Sequence, residues 1–251
     1  MNHAGACAGL LGLWLLLPGG TPESQEANRQ QARAELAEGS RLYGAREYAA
    51  AAKRFERSLE LDPAQPQIHY LIARAIHAQY RPGDRSRENL DRARKAIAAY
   101  HVVLAANPNQ EEAWQAVAAL YGEIEEEGRL REWIGRRAAG TSVPAPRRVE
   151  AYLALAARDS SCAQKVEDEA AASRCAGRGL EMAEKALGLT PESEAAWSQK
   201  ASFLSALARL AQARGAADEK TDYEKRAGEA QKRVEELREK ARLESEAVRA
   251  Y

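Results

Sequence analysis

Phenylalanine and methionine are nearly absent, with two of each in 251 residues. A chain this poor in bulky apolar side chains must bring its backbones together through small ones. An excess of charge of either sign is also lacking. Lys plus Arg and Asp plus Glu each total 37, so the net charge is zero. That removes the electrostatic footprint of a nucleic-acid binder. Metal-ligand spacing is missing as well: there is no H-E-x-x-H, no pair of C-x-x-C motifs and no glycine-rich phosphate loop. His69 and His77 lie two helical turns apart, too far to share one metal without help. Ser160-Ser161-Cys162 has no recognisable base partner. No catalytic residue, metal, cofactor or small-molecule substrate is expected, and the chain does not read as an enzyme.

Only one long apolar run occurs. Ala4–Leu17 carries no charge and is followed by Pro18-Gly19-Gly20. It falls short of the roughly 20 residues a transmembrane helix needs. Residues 1–20 therefore read as a signal peptide or N-terminal anchor, although no basic residue precedes the run. The expectation is export to the periplasm or cell envelope, with membrane association only through this segment if it is not removed. The alternative is a buried N-terminal helix in a cytoplasmic protein. Without the leader, Cys162 and Cys175 remain, an even count that suits a disulfide in an oxidising compartment. On one continuous helix they would stand about 20 Å apart, so a bond requires a turn between them. The alternative is two unrelated thiols in a variable insert.

What the chain does have is alanine, glutamate, arginine, leucine and lysine, the composition of an all-α protein. It also has an internal repeat. Ala51, Ala96 and Gly179 lie 12 residues before Pro63, Pro108 and Pro191. Phe55, Tyr100 and Ala183 lie 8 before, and His69, Trp114 and Trp197 lie 6 after. Residues 21–28 read as a linker and 29–214 as helical repeats, interrupted by a polar insert at 159–173. Residues 215–251 read as a long C-terminal helix opened by a capping box at Thr221–Glu224. In that helix Tyr223, Ala227, Ala230, Val234, Leu237 and Ala241 form a heptad seam. It serves as a cap on the last repeat or, alternatively, as a coiled-coil contact with a second copy.

Gly39-x2-Leu42, Ala51-x3-Phe55 and Pro63 resemble the tetratricopeptide repeat (TPR), and Trp114, Val117-Ala118 and Tyr121 resemble its first helix. The resemblance implies a right-handed α-α superhelix of four to five degenerate repeats with a C-terminal capping helix. The chain is also similar to exported bacterial TPR proteins of unassigned function. With them it shares Tyr80, Pro82 and Gly83 before a helix holding Asn89, Ala96 and Ile97. First helices line the concave groove in TPR arrays. That implies a partner-binding surface of Ser40, Tyr43, Gln67, Tyr70, Arg74, His77 and Gln115. Leu36 and Ser40 replace the Lys and Asn of TPR domains that clamp a C-terminal carboxylate, so a different protein or peptide partner is expected. The function implied is a non-catalytic interaction scaffold. The alternative is a self-assembling structural subunit that uses the C-terminal helix.

Overall fold

A computed structural model describes residues 22–249. The leader expected at 1–20 lies outside the described residues. Among those residues the fold is all-α, with ten helices and no strand. None of these helices is long and apolar enough to cross a membrane. The chain divides into two compact units, Met1–Trp114 and Gln115–Tyr251.

In the first unit, α1 (Pro22–Gly44), α2 (Tyr48–Leu61), α3 (Gln67–His77) and α4 (Arg87–Ala106) each pack on the next. The turn from α1 to α2 is a Schellman motif. Glu47 N donates to Leu42 O at 2.9 Å and Arg46 N to Tyr43 O at 3.0 Å. This places Arg46 at φ 64°, a left-handed conformation held by a side chain other than glycine. The close approach follows from Gly39, because a Cβ there would stand 2.6 Å from Phe55 Cε1. Ala51 and Phe55 are buried with Leu42, Ile68 and Ala75 in one apolar cluster. The next pair is joined by a loop that Asn89 holds shut. Its Nδ2 donates to the carbonyls of Arg81 and Asp84, both at 2.8 Å, and its Oδ1 accepts from Arg81 N at 2.8 Å. Gly83 takes φ 84° inside this loop, and Asn89 is fully buried.

Repeats end alike in both units. Asp62, Asn107 and Thr190 cap their helices at φ −138°, −135° and −140°. Each precedes a proline, whose ring drives the preceding residue out of helical geometry. Trp114 and Trp197 then donate their indole N–H to the carbonyls of Pro108 and Pro191, each at 2.8 Å.

The second unit contains most of α5 (Glu111–Glu123), then α6 (Glu127–Ala139), α7 (Ala145–Lys165), α8 (Glu169–Leu189), α9 (Glu194–Ala213) and α10 (Ala217–Arg249). From α6 onward each helix packs on the next, and α7 also meets α9. The α5–α6 and α9–α10 turns repeat the Schellman pattern, with Glu125 at φ 59° and Gly215 at φ 76°. Their long bonds run from Glu126 N to Tyr121 O at 3.0 Å and from Ala216 N to Ala211 O at 2.9 Å.

Three boundaries differ from the sequence reading. The stretch read as a linker is helical from Pro22, an exposed extension of α1 whose Glu, Gln, Ala and Arg residues favour helix. The insert read at 159–173 is nearly all helix, because α7 runs on to Lys165 and α8 starts at Glu169. Thr221 opens no helix. Gly215 turns the chain early, α10 starts at Ala217, and Thr221 Oγ1 donates back to Ala217 O at 3.0 Å. The heptad seam of α10 faces α9: Ala230, Val234 and Leu237 are buried, while Ala241 is exposed.

Candidate functional site

In the first unit, α1 and α3 bring an aromatic and cationic cluster to one face. The Arg74 guanidinium lies 5.3 Å from the Tyr43 ring centroid and 5.9 Å from that of Tyr70. Its Nη2 also donates to the Tyr43 hydroxyl at 3.5 Å. Arg74 is exposed and makes no ion pair among the described residues. Tyr70 sits 6.2 Å from the Tyr100 ring, and a 3.1 Å hydrogen bond links the Tyr100 hydroxyl with His77 Nδ1. Burial pushes the Tyr70 and Tyr100 hydroxyls above the ordinary tyrosine range. Beside this stack is a cavity of about 100 Å³ lined by Ser40, Tyr43, Phe55, Leu71 and Arg74. The cluster offers stacking surface, a guanidinium fork and a small apolar recess.

The groove residues expected from the sequence do not all converge. Tyr43, Tyr70, Arg74 and His77 do, and Ser40 lines the cavity although its hydroxyl is spent on Leu36 O at 2.9 Å. Gln67 is exposed, with its amide turned to Gln65. Gln115 is exposed on α5, in the second unit. Sequence reasoning assigned Tyr100 to packing alone. A readable signal existed: Tyr100 occupies the slot that Phe55 fills one repeat earlier, and a buried tyrosine needs a partner for its hydroxyl.

In the second unit a disulfide joins Cys162 of α7 to Cys175 of α8, with Cα atoms 5.9 Å apart. The turn that such a bond requires is the three-residue link 166–168. Beside it, the fully buried Asp159 accepts from Arg131 of α6 and from Arg178 of α8, the latter at 3.2 Å. Arg178 also approaches the Cys175 sulfur at 3.2 Å. One carboxylate thereby ties three helices. A buried carboxylate is stable only when paired and hydrogen-bonded in this way. Among the described residues no group of three or more His, Cys, Asp or Glu could hold a metal ion.

Consecutive helix pairs, small residues at the contacts and proline-terminated second helices define a TPR-like helical-repeat protein. No family model and no curated protein matches the chain. Solved structures are similar over most of its length. A TPR repeats protein from Bacteroides fragilis is 15% identical over 82% of this chain and 88% of its own, with a TM-score of 0.44. MamA from Desulfovibrio magneticus is 18% identical over 84% and 96%, with a TM-score of 0.38. PilF from Pseudomonas aeruginosa is 13% identical over 78% and 90%, with a TM-score of 0.37.

Proposed function

We propose that this protein is a non-catalytic scaffold that binds a protein or peptide through the α1–α3 face of its first unit. The observation that supports the reading most is Arg74. It is exposed, stacked by two tyrosines and left without a carboxylate. Tyrosine and arginine are favoured anchors at protein interfaces, and two aromatic faces hold the guanidinium in place before a partner arrives. We further propose that the protein acts outside the cytosol, in the periplasm or cell envelope. The apolar Ala4–Leu17 run and the Cys162–Cys175 disulfide support that location.

The test is site-specific photo-crosslinking in the native host, with the reactive group at Gln67 or, on another face, at Lys53. A Tyr70→Ala/Arg74→Ala/His77→Ala variant, confirmed as folded by circular dichroism, serves as control. A partner caught at position 67 and lost in the control is the expected result. A partner retained by the control, or caught equally at position 53, refutes this face as the site. A full-length mass in the cytosolic fraction refutes export.

One observation favours a second reading, self-assembly. Beyond Leu237, α10 continues as exposed helix to Arg249, and Leu243 and Val248 are 52% and 78% exposed. A dimer in sedimentation that Leu243→Glu/Val248→Glu abolishes would support it. A monomer at all concentrations refutes it.

A further inference from the structure

The first unit's binding face has a counterpart in the second. In the first unit, Ser40 and Tyr43 of α1 line a cavity with Leu71 and Arg74 of α3. Between α7 and α9, Ser160 and Ala163 line a groove with Ala206 and Arg209. The spacing of three residues recurs on every helix involved. Both arginines are exposed, and Arg209, like Arg74, makes no ion pair among the described residues. The difference lies in size. Tyr43 fills its cavity, leaving about 100 Å³, whereas Ala163 and Ala206 leave a groove of about 420 Å³. That is within the roughly 300–1,000 Å³ range of ligand pockets.

The walls of this groove say what it fits. Phe203, Ala163, Ala206 and Leu210 are apolar, and among the described residues Arg209 is its only charged lining residue. Ser202 and Gln164 are exposed at its edge, where Gln164 Nε2 donates to Ser160 Oγ at 3.2 Å. The α7 wall is held in place, since Cys162, between Ser160 and Ala163, is bonded to α8. We infer that the α7–α9 groove is a second docking site, which takes a peptide segment with a large apolar side chain followed by an acidic one. The apolar side chain fills the space left by the two alanines, and the carboxylate pairs with Arg209. This rests on the reading of the protein as a peptide-binding scaffold, but not on the α1–α3 face being a site.

The test is methyl NMR on the full chain, titrated with the capped peptide acetyl-Gly-Phe-Glu-Gly-amide and with its Gln counterpart. The expected result is saturable shifts of the Ala163, Ala206 and Leu210 methyls. The Gln peptide and Arg209→Gln should each weaken them by about three- to tenfold. Arg74→Gln should leave these shifts unchanged, and Ala206→Leu, which fills the groove, should abolish them in a chain that circular dichroism shows folded. No shift at millimolar peptide overturns the inference. So do equal affinities for the Glu and Gln peptides, or loss of the shifts in Arg74→Gln but not in Arg209→Gln. Shifts confined to the α7–α9 groove would sustain this site while the α1–α3 face fails.

Discussion

Gly177 and Gly179 lie two residues apart on α8, and alanine should have opposite effects at the two positions. Gly177 is exposed and a Cβ there meets nothing within 4 Å. Gly177→Ala should therefore gain the helix preference of alanine over glycine, about 0.8–1 kcal/mol. Gly179 is buried, and its Cβ would fall 2.2 Å from Phe203 Cζ and 2.3 Å from Cε1. The ring cannot easily withdraw, because Phe203 is 4% exposed in a cluster with Ala176, Leu180, Leu204 and Leu207. Overpacking of this kind costs about 1–3 kcal/mol. After the helix-preference gain, Gly179→Ala should be up to about 2 kcal/mol less stable than the parent. The two variants share the propensity term, so their difference isolates the contact with Phe203. The assay is urea unfolding in a Trp14→Phe/Trp114→Phe background, where only Trp133 and Trp197, both in the second unit, emit. That difference, about 1–3 kcal/mol, separates the two midpoints by about 0.5–1.5 M at a urea slope of about 2 kcal/mol/M. Adding Phe203→Leu should recover part of the loss, as a positive coupling in a double-mutant cycle. Equal midpoints for Gly177→Ala and Gly179→Ala would refute the close approach of α8 and α9.

Asn89→Ala should destabilise the first unit by about 2–3 kcal/mol, since it strands the Arg81 and Asp84 backbone groups; a urea midpoint unchanged by the substitution would contradict this. Arg46→Gly and Glu125→Gly should each stabilise by about 0.5–1 kcal/mol, because both positions hold left-handed φ angles of 64° and 59°; thermal melts read the gain. Reducing Cys162–Cys175, which are 13 residues apart in sequence, should cost the second unit about 3 kcal/mol and spare the first. Hydrogen exchange resolved by unit separates the two. Burial raises the folded-state pKa of Tyr70 and Tyr100. Their stabilisation is intact below the unfolded value of about 10 and is lost as pH rises through the folded values. The first unit should hold its stability up to about pH 10 and weaken above it, less steeply in Tyr100→Phe.

The repeat was legible because it is a packing code. Ala51, Phe55, Ala96, Tyr100, Gly179 and Ala183 are all buried where the proline-relative spacing put them. Even the Tyr80-x-Pro82-Gly83 loop with Asn89 proved to have a mechanism, an asparagine that satisfies three backbone groups of that loop. What was hidden depends on partners distant in sequence. Asp159 and its neighbours read as a polar insert because nothing local shows that Arg131 and Arg178 will neutralise the carboxylate. With that pairing and the disulfide, a polar stretch becomes the continuation of two helices. At Thr221 the local signal was genuine but came second, since the Gly215 turn had already started the helix.

The two arginines assigned to binding can be separated from the rest by the same kind of reasoning. This chain balances 37 cations against 37 anions, and most of the ion pairs along its helices join residues three or four apart. Arg74 has Tyr70, Leu71, His77 and Ala78 at those four positions, and Arg209 has Ser205, Ala206, Gln212 and Ala213. Neither is given a carboxylate within its own helix, and among the described residues folding brings neither one from elsewhere. An exposed arginine loses little by staying hydrated, so the omission costs the fold almost nothing. It leaves each guanidinium fork open beside an apolar recess, where the proposed partner's carboxylate would complete it. Supplying that acid within the helix is therefore a selective perturbation. Ala206→Glu, one helical turn before Arg209, should leave the melting temperature within about 2 °C of the parent, whereas Leu71→Glu also loses an apolar contact with the Leu42, Phe55 and Ile68 cluster and should melt lower; each should weaken partner capture at its own groove. Unimpaired capture in both variants would refute the assignment of these arginines to binding.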